Sequence, residues 1–284
     1  MTTQRIAVTG ATGTLGGNIA RQLDTRNIPT RLIVRNPARA PTLQHAEVAV
    51  ASYVDHKALV SALQGIDTVF FVSGFEAADR LDQHKAAIDA FAEAGVQRVV
   101  YTSFVNCTAD STFTFARDHY HTEQYMAAKG LSFAALRDNF YADMVPRLVM
   151  DGEIRGPAGE GRFAPVARSD VAAVAVALLT DPAAPTGTFD VTGPELVTME
   201  QAAALLTEVT GKTVTFRNET LAEAYVSRAG FDVPQFEIDG WVTSYSGIAA
   251  GEFEVLSDTV ERFTGHPPMS LKTFLARKMK DDMV

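Results

Sequence analysis

The segment Gly10-Ala-Thr-Gly13-Thr-Leu-Gly16-Gly17 constrains this chain more than any other. An apolar, β-rich run at residues 5–9 precedes it, and a run of helical periodicity at residues 15–26 follows it. Glycines at such a junction let the backbone turn tightly. They also let its N–H groups approach an anion at the helix N-terminus, whose partial positive charge favours it. The spacing is G-x-x-G-x-x-G rather than the G-x-G-x-x-G of the common dinucleotide fingerprint. A turn kept only for close packing is the alternative reading. In a strand–turn–helix setting the expected guest is a pyrophosphate, with Thr12, Thr14 and the amide of Leu15 as its phosphate or ribose neighbours.

The rest of the first half repeats that alternation. Strand-like runs at residues 30–34, 47–50, 68–72, 96–101 and 132–136 are separated by helical patterns at 56–63, 81–94 and 115–128. Strands too apolar to face water, joined by helices, imply a parallel sheet covered on both faces. Asp55 stands where a helix start needs a cap, and Gly65, Gly95 and Gly130 stand where helix ends need a left-handed residue.

Beyond residue 137 the pattern changes. Residues 138–150 read as a helix, 152–161 as a glycine-rich turn or hairpin, and 170–179 as a helix capped by Ser169. A strand at 188–191, a helix at 198–211 and a strand at 213–216 follow, and the remainder is mostly helical. The expected architecture is an α/β, doubly wound parallel-sheet Rossmann fold with a smaller C-terminal substrate lobe. Residues 1–137 would form the core, with 165–192 rejoining it, and 138–164 with 193–284 the lobe.

The end of the second strand discriminates between dinucleotides. An acid there accepts the adenosine 2′-hydroxyl of NAD. Here the run Arg31-Leu-Ile-Val-Arg35-Asn-Pro ends on Arg35 with no acid at the corner. A carboxylate would repel a 2′-phosphate, whereas a guanidinium binds one through charge-assisted bonds, so NADP(H) is the expected cofactor. A solvated strand-end arginine is the bland alternative.

Charge and composition exclude other classes. The 284 residues carry a formal net charge of −9 with scattered basic residues, where a nucleic-acid binder needs a basic stripe. No run approaches the ~18 apolar residues of a membrane helix. A single cysteine, Cys107, and a start without a basic, then apolar, leader point to a cytoplasmic protein.

Taken in order, several stretches resemble the NmrA-like atypical short-chain dehydrogenase/reductase family, near its type 2 NADPH quinone oxidoreductases and triphenylmethane reductases. They are Ala7-Val-Thr-Gly-Ala-Thr-Gly-Thr-Leu-Gly-Gly17, Val34-Arg-Asn-Pro37, Tyr53-Val-Asp55, Leu63-Gln-Gly65 and Ala94-Gly-Val-Gln-Arg-Val-Val-Tyr-Thr-Ser103. His119-x-x-Thr-Glu123, Leu136-Arg-Asp-Asn-Phe-Tyr141 and Thr264-Gly-His-Pro267 complete the set. The resemblance implies that residues 10–16, with Gly10, Gly13 and Gly16, and Arg35 hold the adenine half of NADPH. It implies that Val72, Ser73 and Gly74, with Thr102 and Ser103, line the nicotinamide half, and that Tyr53 lies along the adenine. The acid often found one residue before that tyrosine is Ser52 here.

Tyr125-Met-Ala-Ala-Lys129 matches the Tyr-x-x-x-Lys catalytic pair as a bare string. The family's active lysine is followed four residues later by a helix glutamate, which corresponds to Glu123. The lysine position then falls on His119 and the tyrosine position on Phe115. Lys129 directly precedes Gly130, in a last helical turn where the dipole favours a cation. Tyr125 and Lys129 therefore read as ordinary helix residues. His119 is expected at the nicotinamide ribose hydroxyls, and His119 and Tyr141 are the catalytic candidates. Two residues on one helix face are too few for a metal site, so His119, His121 and Glu123 bind none.

Loss of the phenol removes the usual proton donor for alcohol–ketone chemistry. A quinone or delocalised cation can accept hydride directly, with its proton from water. The expected partner is thus a small aromatic or quinone-like substrate, with Phe75, Phe104, Asn139, Phe140, Tyr141 and also Trp241 as wall candidates, in a monomer or homodimer. Core packing is the alternative for each aromatic. Two activities compete: an NADPH-dependent reductase of flat electron-poor acceptors, or a non-catalytic NADP(H) sensor of the NmrA type that binds a protein partner. A pathway-specific reductase of a polycyclic metabolite is a third.

Overall fold

β1 (Ile6–Thr9) is buried along its whole length, as a central parallel strand with both faces covered must be. The computed structural model, which describes residues 5–281, pairs it in parallel with β2 (Thr30–Val34) on one side and β4 (Thr68–Phe71) on the other. β3 (Ala46–Val50) extends one wing, and β5 (Arg98–Phe104), β6 (Ser132–Asp138) and β10 (Gly187–Val191) extend the other. The order is β10-β6-β5-β4-β1-β2-β3. It reverses direction at β1, and open α/β sheets bind ligands beyond the strand ends at such a point.

Helices α1 (Thr14–Thr25), α2 (His56–Ala62), α3 (Arg80–Glu93), α4 (Thr114–Ala128) and α5 (Arg168–Thr180) connect the strands, within one or two residues of the expected spans. Asp55 caps α2 through the Ala58 N–H at 3.1 Å, as its position in the sequence requires. The short strands β7 (Val149–Met150), β8 (Glu153–Gly156), β9 (Arg162–Phe163), β11 (Val197–Thr198) and β12 (Thr215–Asn218) form two small sheets apart from the main one. Helices α6 (Met199–Thr210), α7 (Leu221–Arg228), α8 (Gln235–Ala249), α9 (Thr259–Thr264) and α10 (Leu271–Asp281) complete the chain. Thr198 and Gln201 build a capping box at the start of α6.

The helix expected over 138–150 does not form. β6 runs on to Asp138, and the next backbone groups are taken by other extended segments. Asn139 N–H donates to Val191 O at 3.0 Å, Val166 N–H to Phe140 O at 3.0 Å, and Ala142 N–H to Val166 O at 2.9 Å. Only the tighter 3₁₀ turns of Ala142–Leu148 follow, with Pro146, which has no N–H for an α-helical ladder, inside them.

Two compact units result. One comprises Met1–Ser103, Asp118–Arg137 and Val171–Phe189; the other comprises Phe104–Arg117, Asp138–Asp170 and Asp190–Val284. Residues 104–117 thus lie in the second unit rather than the Rossmann core, and that unit is as long as the first. The first is organised around Phe71, whose ring has Tyr53, His84 and Phe91 edge-on at 5.2 Å each and Tyr101 at 5.1 Å. Burying such a side chain completely stabilises by about 1.5–3 kcal/mol. Among the described residues no helix is long and apolar enough to cross a membrane.

Candidate dinucleotide and acceptor sites

Two glycines of the first turn have no substitute. Gly10 holds φ +63°, and a Cβ there would stand 2.3 Å from Val72 Cγ1. At Gly16 a Cβ would strike Gly10 O at 2.5 Å, so the helix could not sit so close to the strand that feeds it. α1 then begins at Thr14, behind an N-cap, Gly13, that offers no side chain, and with no acid in its first turn. N–H groups left without an internal partner beside a positive dipole end are the donor set a pyrophosphate needs. Thr14 is exposed and Thr12 half-buried on this turn, whereas the Leu15 side chain is buried, leaving its backbone amide as the polar group on offer.

Arg35 is exposed at the end of β2, and no ion pair among the described residues engages it. Burial raises the Tyr53 phenol well above the usual value for tyrosine, with the Thr9 hydrogen bond and then the Arg35 charge opposing it. Tyr53 itself is turned inward. Its hydroxyl donates to Val72 O at 2.7 Å and meets Thr9 Oγ1 at 2.8 Å, while Thr9 Oγ1 accepts the Val72 N–H at 3.0 Å. Three hydrogen bonds therefore fasten the end of β4 to the end of β1. Sequence reading expected Tyr53 along the adenine; in the structure its polar end braces Val72.

His84 is a group the sequence reading missed. It is fully buried, and its Nε2 accepts the Gly74 N–H at 2.7 Å. The other nitrogen, Nδ1, then carries the hydrogen and donates to Thr122 Oγ1 at 2.8 Å, and Thr122 donates on to Asp118 O at 2.6 Å. Burial, with the Arg80 cation adding to it, lowers the His84 pKa to about 3, so the ring is neutral at physiological pH. Nothing in sequence links positions 74 and 84 to 122; only the packing of α3 and α4 does.

His119, expected at the ribose, is 8% exposed, with Tyr101 OH on its Nδ1 at 2.9 Å and a hydrogen bond to the Thr102 backbone. Its burial holds it well below the ordinary histidine pKa, helped by Arg80 and His84. The ring braces the end of β5 instead of reaching outward. Ser103 donates to Glu123 Oε1 at 2.5 Å, and Arg137 closes on both oxygens of Glu123 at 3.0 and 2.6 Å. The glutamate that marked the family register thus orients Ser103. Thr102, Ser73 and Gly74 lie at the ends of the same two strands, β5 and β4.

Tyr125 and Lys129 share one partner, Asp89 on α3. The phenol donates to it at 3.0 Å and the ammonium stands 2.6 Å from it, at an exposed position. Phe115, at the tyrosine position of the register, lies against Gly240, where a Cβ would come within 2.2 Å of its ring. A phenol at Phe115 is absent by sequence, and its ring is packed.

In the second unit the expected wall residues divide. Phe140 stacks on Phe253 at 6.3 Å, and Phe104 meets Phe113 and Phe253 edge-on at 5.1 and 4.9 Å. Asn139, expected to face substrate, is 1% exposed: its amide donates to Phe253 O and accepts from Phe140 N–H, so it holds the aromatic wall in place. Trp241 packs edge-on against Phe231 at 5.5 Å. Phe75, in the first unit, is 82% exposed. Tyr141 is half-buried, donates to Asp138 Oδ2 at 2.5 Å, and carries the Arg168 guanidinium 4.2 Å above its ring.

The NmrA-like family model matches residues 2–235. Quinone oxidoreductase 2 of Escherichia coli is 33% identical over 275 residues, covering 94% of this chain and 96% of that protein. An NAD(P)H azoreductase of Xenophilus azovorans is 28% identical over 95% and 96% of the two chains. The crystal structure of the Escherichia coli NADPH-dependent quinone oxidoreductase with NADPH superposes with a TM-score of 0.88 at 32% identity, covering 96% of this chain and 99% of that one. That of the Citrobacter sp. triphenylmethane reductase with NADP(H) does so with a TM-score of 0.85 at 28% identity, covering 96% and 99%. The chain belongs to the NmrA-like family.

Proposed function

We propose that this protein is an NADPH-dependent oxidoreductase that passes hydride to a quinone or a similarly flat, electron-poor acceptor. The observation that carries the cofactor half is the pairing of an uncapped, acid-free α1 N-terminus with an exposed Arg35 at the end of β2 that no ion pair among the described residues engages. The cradle would be Gly10, Thr12, Gly13, Thr14, the Leu15 amide and Gly16. Arg35 would take the 2′-phosphate, and Val72, Ser73, Gly74, Thr102 and Ser103 the nicotinamide half. Tyr53, His84 and His119 act behind them by holding Val72, Gly74 and Thr102. NADPH supplies the hydride when bound; the chain's own work is to bind, orient and exclude water.

The acceptor half is supported by the similar proteins, named as reductases of quinones, azo compounds and triphenylmethane compounds. In this chain Phe140 and Tyr141 are the proposed contacts, and the reaction proceeds without a Tyr-x-x-x-Lys pair, since Tyr125 and Lys129 are committed to Asp89. We place the protein in the cytoplasm, where the thiol of the buried Cys107, which forms no disulfide among the described residues, stays reduced. Stopped-flow oxidation of NADPH against a panel of quinones, dyes and imines tests the reading. Activity with a small benzoquinone or naphthoquinone and little with simple ketones is expected. Tight NADPH binding with no acceptor reduced would replace it with a sensing role.

A further inference from the structure

Asp138 is 2% exposed, and its Oδ1 has no hydrogen-bond partner among the described residues. Its other oxygen lies 2.5 Å from the Tyr141 phenol, which donates to it when the carboxyl is ionised. When the carboxyl is neutral, the hydrogen of that contact lies on Oδ2 and is donated to the phenol oxygen, which frees the phenol O–H to point outward. A buried carboxylate with one oxygen unserved is a costly arrangement, whereas a neutral carboxylic acid needs fewer partners and can itself donate. Tyr141, half-buried, is the member of the pair that reaches the surface. The charged groups facing them are Arg168, over the phenol ring at 4.2 Å, and Asp143, which Arg168 holds at 3.4 Å.

We propose that Tyr141 is the proton donor to the reduced acceptor, and that Asp138 re-supplies Tyr141 through the hydrogen bond between them. This rests on the reductase reading and replaces solvent as the immediate proton source. Hydride from NADPH, which becomes NADP⁺, adds two electrons and one hydrogen to the acceptor and leaves negative charge on its oxygen. That oxygen bonds the Tyr141 hydrogen as the phenol O–H breaks. The Asp138 O–H breaks in turn, its hydrogen moves to the Tyr141 oxygen, and its electron pair remains on the carboxylate. Water then returns a proton to Asp138. The sum is acceptor plus NADPH plus H⁺ giving dihydro-acceptor plus NADP⁺.

The geometry suits a relay because no tyrosinate accumulates: each proton lost outward is replaced from behind across one short bond. Burial raises the Asp138 carboxyl well above the usual aspartate range, despite the opposing influence of Tyr141 and Arg168, which favours the same neutral acid that the unserved Oδ1 favours. Burial likewise raises Tyr141, with Asp138 adding to it, which disfavours a free phenolate and favours concerted transfer. Arg168, held by Asp143, offsets the negative charge left on the pair from the moment it gives up its proton until water restores it.

Two measurements test this. Infrared spectra of the nucleotide-free protein at neutral pH should contain a protonated-carboxyl stretch that disappears in Asp138→Asn and shifts in Tyr141→Phe. With a small naphthoquinone, Tyr141→Phe and Asp138→Asn should each lower kcat at least about tenfold. Each should leave NADPH affinity, read by fluorescence titration, within about twofold, and reduce the solvent isotope effect. Absence of the carboxyl band, or Tyr141→Phe turning over at the wild-type rate, overturns the relay while the reductase reading stands. Wild-type protein inactive with every quinone, dye and imine overturns both.

Discussion

His84 Nε2 accepts the backbone N–H of Gly74 across 2.7 Å, which makes a buried imidazole the strut beneath the turn that follows β4. The bond requires the neutral ring, and burial lowers the pKa from an ordinary 6.5 to about 3. Between those values the unfolded chain binds a proton that the folded one refuses. The stability His84 contributes is therefore complete above about pH 6.5. It declines as pH falls toward about 3, with a slope of up to about 1.4 kcal/mol per pH unit. Urea midpoints measured from about pH 7 to about pH 4 should fall in the wild type and fall less steeply in His84→Gln. Gly74 amide exchange should be faster in that variant; equal exchange would remove the strut.

Arg35 is the residue proposed to set the choice of dinucleotide. NADPH is expected to bind at least about tenfold tighter than NADH, roughly 1.4 kcal/mol, and Arg35→Glu to erase or reverse the preference. Calorimetry on both proteins with both nucleotides decides it. Equal wild-type affinities would show that the strand-end guanidinium is merely solvated.

Tyr125 and Lys129 should be dispensable for chemistry. Both are bound to Asp89, Tyr125 from a half-buried position and Lys129 from an exposed one. Tyr125→Phe and Lys129→Ala are expected to keep turnover within about threefold. A hundredfold loss in either, with folding and NADPH affinity intact, would return the family's usual pair to this helix.

The Glu123–Arg137 pair is a stability element. Glu123 is 3% exposed and takes two bonds from Arg137 in addition to that from Ser103. Arg137→Met leaves a buried carboxylate without its counter-ion, and such losses run to about 3–5 kcal/mol. Denaturant unfolding of the variant should show a loss of that order, and the double variant with Glu123→Gln should recover part of it. A loss below about 1 kcal/mol would mean that water reaches the carboxylate.

What sequence alone determined here is whatever local physics writes into neighbouring positions. Gly10 and Gly16 are glycines because a Cβ at either would collide with Val72 or with the turn itself, and that need leaves a readable spacing. Arg35, the Asp55 cap and the alternation of apolar strands with helices are legible for the same reason. The tertiary structure alone decided the groups whose partners are distant in the chain. Residues 138–150 looked helical by periodicity, yet Val166 and Val191 captured their backbone and turned Asp138 inward onto Tyr141. Asn139 and His119 read as ligand-facing and proved to be internal braces, because Phe253 and Tyr101, brought in by packing, use their polar atoms. His84 carried no sequence signal, since Gly74 and Thr122 meet it only once α3 and α4 are laid on the sheet. Hydrogen bonds between remote segments leave no periodicity to read, and in this protein they fix which polar groups remain free for a ligand.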